Sequence, residues 1–215
     1  MDELELLKKD WKKREQHIPK LSYGEIYNMI WKKSSSIVKW ILIISVIELA
    51  VPHLLYLLPW ARQNMDIYHK LGLSPAIMVS SVVQYTVVFY FIYLFYKRYK
   101  EISVLDSAKD LMSKILSTRR TVKYYIIFGL SNMFVVCLIL ITGIYLTPDI
   151  TDIFPMPQNE HLTPEKFKSI MMWSMGLMSL VLILFVGGIY FLLYGRLIRK
   201  LHKNYKELKK LEVED

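Results

Sequence analysis

Four stretches of this chain, residues 40–58, 76–96, 124–146 and 169–194, are about 19–26 residues long and nearly free of charge. A helix needs about 20 apolar residues to cross the hydrocarbon core of a bilayer. Four such runs exceed what a single soluble core of a 215-residue chain would use. They predict an all-α membrane protein, a four-transmembrane-helix bundle with cytosolic amphipathic helices.

The basic residues orient it. Of 28 Lys and Arg, 24 lie in residues 1–39, 97–123 and 196–215, and the gaps inside each pair of runs hold only Arg62, Lys70, Lys166 and Lys168. Positive charge stays on the cytoplasmic side of spans. Both termini and the central segment are therefore expected in the cytoplasm. The organisation read this way is a cytosolic amphipathic arm (1–39), a first hairpin (40–96), a cytosolic helical loop (97–123), a second hairpin (124–195) and a basic coiled-coil-like tail (196–215). The net charge of +9 is then mainly a topological signal, and nucleic acid is a poor candidate partner because the charges sit beside spans. The first apolar run begins only after residue 39 and no small-residue cleavage site follows, so it is expected to stay attached as a span. Cys137, the only cysteine, excludes an intrachain disulfide.

Local signals set the helix ends. Leu4, Leu7 and Trp11 form one stripe of a first arm helix that Pro19 breaks. Ser22-Tyr23-Gly24-Glu25 has capping-box spacing, and Ile26, Met29 and Ile30 continue an apolar face toward the first span. Span one is expected to end near Trp60, with Pro52 kinking it and His53 toward the outside. Ser74-Pro75 and Thr163-Pro164 read as starts of spans two and four. Leu105, Ala108, Met112 and Ile115 give the central segment one apolar face, and the outer loop 147–168 reads as an irregular or short-helical lid. In the tail, Leu197, Leu201, Asn204, Leu208 and Leu211 follow a coiled-coil spacing with one polar position. Two heptads need support from span four or from the other cytosolic helices. A short internal match (Val38-Lys39-Trp40 with Val122-Lys123-Tyr124) suggests two parallel half-repeats, or basic and aromatic flanks that arose independently.

Glu48 is the costly residue. It lies ~13 Å beyond Lys39, and an acid that deep costs about 2.5–3.5 kcal/mol on insertion scales, so it should face protein. Asn132 falls at matching depth under the repeat alignment, and Gln84 is the other mid-span amide. A Glu48–Gln84–Asn132 cluster is expected. It reads either as a proton or ion site or as a polar clasp between helices. Gly187-Gly188, with Gly176 and Ser179, reads as a close helix approach.

The five histidines lack ligand spacing on one helix, and there is no nucleophile elbow or phosphate loop. No catalytic, metal or cofactor-binding residue is assigned, no cofactor is expected and the chain is read as no enzyme. The basic faces admit anchoring on anionic lipid, docking of a cytosolic protein through Leu4, Leu7, Trp11, Tyr23 and Tyr27, or self-association through the Leu201–Leu211 seam. The opening Met1–Trp11, with Leu21-Ser22-Tyr23, Glu25-Ile26-Tyr27 and Lys33–Trp40, resembles a family of uncharacterised bacterial four-span inner-membrane proteins, over mainly the first 50 residues. Some members accompany genes for RNA polymerase sigma factors. The resemblance implies a membrane regulator whose cytosolic arm sequesters such a partner. The rival is a small oligomeric transporter or ion-coupled protein built around Glu48.

Overall fold

The computed structural model describes Glu5 and residues 22–55, 57–58, 66–102, 107–155 and 163–214. The arm residues Leu4, Leu7 and Trp11, together with Trp60 and Leu105, lie outside the described residues. Those described form helices α1 (Tyr23–Leu55), α2 (Asp66–Lys70), α3 (Ser74–Ile102), α4 (Ala108–Leu146) and α5 (Pro164–Glu214), with no strand among them. Helices α1, α3, α4 and α5 are long and apolar enough to cross a membrane.

Helices α1, α4 and α5 start where a side chain satisfies an orphan N–H group. At α1, Glu25 N–H donates to Ser22 Oγ at 3.3 Å while Glu25 Oε2 accepts from Ser22 N–H at 2.8 Å, a complete capping box. At α4, Ser107 Oγ accepts from Asp110 N–H at 3.1 Å. At α5, Thr163 Oγ1 accepts from Lys166 N–H at 3.4 Å. Short α2 ends in a left-handed Gly72 (φ 67°), with Leu73 N–H bonded to Tyr68 O and Gly72 N–H to His69 O. That Schellman closure turns the chain directly into Ser74-Pro75 and α3.

Pairs of touching side chains fix the topology. Trp31 of α1 meets Ile102 of α3, and His53 meets Tyr85, so these helices are antiparallel. Lys114 meets Glu101 and Asn132 meets Gln84, which sets α4 antiparallel to α3. Arg119 meets His202 and Lys168 meets Thr147, so α5 runs against α4. Asn204 of α5 returns to Ser34 of α1 and closes the ring. The result is an up-down-up-down bundle. The start of α1, the 97–123 segment and the end of α5 gather at one end, here called the basic end.

Helices α4 and α5 run on without interruption from the apolar runs into the basic segments. The 97–123 segment is therefore no separate unit: from Ala108 onward it is the first part of the rod that continues to Leu146. No proline breaks that stretch. At 1.5 Å per residue, α5 with 51 residues is ~77 Å long, more than twice the ~30 Å of a hydrocarbon core. Its surplus forms a collar at the basic end.

Packing is concentrated there. Ile30, Ile102, Leu111, Ile115, Leu201 and Leu208 are buried among the four long helices. The tail seam is used internally. Leu201 and Leu208 are 0% exposed, and Asn204 donates to Ser34 Oγ at 2.9 Å. Leu201 and Leu208 of that seam are thus covered within the chain, on the support that two heptads need. A second, smaller core at the far end joins Leu71, Ile144 and Ile150, roofed by Phe154 and Met171. Between the cores the surface is apolar: Trp173 is 80% exposed and the most apolar stretch of α5 has no buried residue. A contiguous apolar belt of this kind is foreign to a water-facing monomer.

The close helix approach lies elsewhere than expected. A Cβ at Gly176 or Gly188 would meet nothing within 4 Å, and one at Gly187 only Leu130 methyls at 3.9 Å. At Gly143 it would stand 2.5 Å from Leu73 Cδ1, because the α2–α3 turn is pressed against α4. Gly143→Ala is expected to cost about 1–3 kcal/mol through overpacking, whereas Gly188→Ala is neutral or slightly stabilising. Thermal unfolding of both variants in detergent, followed by circular dichroism, checks the contrast.

Candidate functional site

Glu48 points into the bundle from α1, where it meets three tyrosines rather than the two amides. Its Oε2 accepts from Tyr125 Oη at 2.8 Å and from Tyr194 Oη at 3.1 Å, and its Oε1 accepts from Tyr190 Oη. Tyr125 comes from α4, and Tyr190 and Tyr194 lie one turn apart on α5. The three rings pack at centroid distances of 5.8–6.5 Å. From α3, Phe91 and Phe95 stand edge-on to Tyr125 at 5.5 and 5.6 Å. All four long helices thus converge on one carboxylate. Gly129 makes room: a Cβ there would sit 3.2 Å from Tyr190 Oη.

Gln84 and Asn132 form a separate set. Asn132 Nδ2 donates to Gln84 Oε1 at 2.7 Å, and Asn132 Oδ1 accepts a long bond from Ser80 Oγ at 3.5 Å. No hydrogen bond joins either amide to Glu48. The expected three-residue cluster is corrected to two sites for a packing reason. The tight core ends near Phe91 and Tyr125, and Gln84 lies on an exposed face of α3 from which it cannot reach the interior. Ser45 is buried but bonds back to Leu42 O of its own helix at 2.8 Å.

Toward the far end, α1 continues through Pro52 to Leu55. The His53 Nδ1–H donates to Leu49 O at 2.6 Å, since a carbonyl only accepts. Its Nε2 lies 2.9 Å from the Tyr85 hydroxyl, within hydrogen-bond distance. At the basic end, Trp31 Nε1–H donates to Ile102 O at 2.6 Å and caps α3, so this indole is fixed. Glu101 Oε2 accepts from Arg98 and Lys114, each at 3.0 Å. Of the proposed docking residues inside the described range, Tyr23 is exposed at the start of α1, whereas Tyr27 packs against the main core.

The chemistry open to this arrangement is limited. A carboxylate surrounded by three O–H donors is an acceptor with its needs met, and no base or nucleophile adjoins it among the described residues. Nor do the described residues contain a group of three His, Cys, Asp or Glu able to hold a metal ion. What the cluster does is join α1 to α4 and α5. Tyr190 and Tyr194 carried one legible trace, two tyrosines at i and i+4 in an uncharged apolar run; Tyr125, on another helix, carried none.

Interhelical hydrogen bonds in bilayers average about 0.6 kcal/mol and reach about 1.7, so three of them account for roughly 2–5 kcal/mol, with ionised acceptors at the upper end. Glu48→Leu strands three phenols and should lower stability by about 2–4 kcal/mol. Glu48→Gln keeps an acceptor and should lose about half of that, and Tyr190→Phe about 1 kcal/mol. Thermal melts in detergent rank the variants, and a double-mutant cycle between Glu48→Gln and Tyr190→Phe is expected to give a nonzero coupling.

No curated protein and no solved structure matches the chain. A family model does, from Gly24 to Val213, which takes in the whole bundle and leaves out the arm before α1. With that match over residues 24–213, the chain belongs to the family described as Domain of unknown function (DUF8845).

Proposed function

We propose that this protein is a multi-pass protein of the bacterial inner membrane, with both termini cytoplasmic, that acts without catalysis as a regulator or scaffold for a cytosolic protein. The observation that carries this reading is the collar. The four long helices continue past their apolar stretches at the basic end and bury Ile30, Ile102, Leu111, Ile115, Leu201 and Leu208 between them. A chain that needed only to cross a bilayer would not require it. Such a collar provides a rigid cytosolic platform, and the arm is tethered at its rim through Ser22 and Tyr23. Docking is assigned to Leu4, Leu7 and Trp11 of the arm together with Tyr23; Tyr27 supports the base of α1. A transcription regulator such as a sigma factor is the partner class implied by the resemblance of the arm.

Ion-coupled transport is the second reading, favoured by one observation, an acidic side chain deep in an apolar run. The saturation of Glu48 by three phenols suits a fixed joint better than a group that must exchange partners. The two separate in a flux assay with the full chain in vesicles. Transport requires pH-dependent flux that Glu48→Gln abolishes while the melt changes little.

Two measurements test the main reading. With Cys137→Ser as background, Asp152→Cys should react with a membrane-impermeant maleimide added to intact cells, and Lys209→Cys only after lysis. The reverse pattern refutes the orientation. A photo-crosslinking amino acid at position 7, 11 or 23 of the full chain in cells should yield one discrete soluble adduct, lost in Leu4→Ser/Leu7→Ser. Adducts confined to lipid or to the chain itself would refute a docking arm.

A further inference from the structure

A cleft of about 300 Å³ opens between α1 and α3 at the basic end, lined by Trp31, Lys32, Ser35, Ser36, Lys39 and Tyr99. Lys32, Ser35, Ser36 and Lys39 follow i, i+3, i+4, i+7 spacing, so one face of α1 presents two ammonium groups with two hydroxyls between them. Several serines and threonines elsewhere in the bundle bond back to their own helix: Ser45 to Leu42 O, Ser81 to Ile77 O, Thr86 to Val82 O and Ser174 to Met171 O. Ser35 and Ser36 have no such bond, and no ion pair among the described residues engages Lys32 or Lys39. Among the described residues no carboxylate lines the cleft. The nearby acid, Glu101, is already held by Arg98 and Lys114. Trp31 is pinned to Ile102 O and forms a fixed wall.

The position of the cleft selects the ligand. Lys39 is followed at once by exposed Trp40, and beyond it Val46 and Ile47 are exposed on α1. On α3 the exposed Tyr93 and Tyr96 precede Lys97. Here the helix surface changes from basic to apolar, the depth at which lipid phosphates lie beside their acyl chains. We infer that this cleft is a binding site for the phosphate of an anionic membrane lipid, with Lys32 and Lys39 neutralising it, Ser35 and Ser36 donating to its oxygens, and the acyl chains lying along the apolar flank of α1. The inference rests on the membrane-spanning part of the proposed function and not on the cytosolic partner.

The test uses the full chain in mild detergent, titrated with phosphatidylglycerol or with phosphatidylcholine of the same acyl chains, and read by native mass spectrometry. Each basic residue near an anionic surface contributes enough for two lysines to account for roughly 30-fold in affinity. Lys32→Gln/Lys39→Gln should therefore weaken phosphatidylglycerol adducts by about that factor, and Ser35→Ala/Ser36→Ala by a smaller factor. Lys209→Gln/Lys210→Gln, which removes the same charge from the end of the tail, should have a clearly smaller effect, because these lysines are not among the residues that line the cleft. Unchanged melts of the cleft variants assign the loss to the site. Equal losses from both lysine pairs, or equal binding of the two lipids, would overturn the site. Displacement of phosphatidylglycerol by an equal concentration of inorganic phosphate would overturn the lipid assignment in favour of a free anion. Alkaline carbonate extraction of membranes is read alongside. Release of the chain removes the spanning reading and the site together, whereas retention with no lipid preference removes the site alone.

Discussion

Apolar helices gain nothing by touching one another in hydrocarbon, because lipid tails are as apolar as leucine. A bundle of such helices depends on other contacts for its arrangement. In this chain the Glu48 carboxylate supplies one of them. An acidic side chain on α1 finds its hydrogen-bond donors only on α4 and α5, while Phe91 and Phe95 of α3 close the space behind Tyr125. Rotating or sliding any one of these helices would leave a carboxylate or a phenol unsatisfied where water is scarce. The contact therefore fixes rotation and depth together.

On either side of that joint the packing differs in kind. At the basic end, ordinary hydrophobic burial operates, and α1, α4 and α5 bury leucines and isoleucines against one another as a soluble bundle does. The single polar position of the tail seam, Asn204, meets Ser34, so a register device acts within one chain. Along the apolar belt, association falls to sparse polar stitches: Glu48 with its tyrosines, Asn132 with Gln84, and His53 with Tyr85. At the far end a small core under the α2–α3 turn and the Lys168 contact to Thr147 O close the assembly. The family match spans this whole arrangement and stops short of the arm.

Much of the fold was legible. The capping box at Ser22 and Glu25 and the starts at Ser74-Pro75 and Thr163-Pro164 depend on neighbours within four residues, and each stands where its spacing placed it. The site was legible only in part. Glu48 stood out through the cost of its charge, but its partners did not, because depth along each helix says nothing of rotation around it. Gln84 and Asn132 share a depth and do bond, yet Gln84 faces outward, so the pair never joins the acid. The glycines show the same limit. Gly187-Gly188 looks like a packing motif, but the close approach occurs at Gly143, where a distant turn brings Leu73 against it.

The sequence by itself determined the number of long apolar helices, most of their starting points and the clustering of basic charge in both terminal segments and the central one. Partition between water and hydrocarbon is close to additive along a helix, and capping is local. Only the tertiary structure decided that Glu48 meets Tyr125, Tyr190 and Tyr194, that the tail seam folds back on α1, and that α4 and α5 run unbroken into the collar. Those outcomes depend on the mutual rotation and register of four rods, which arise from contacts between residues up to 170 positions apart and are written in no single segment.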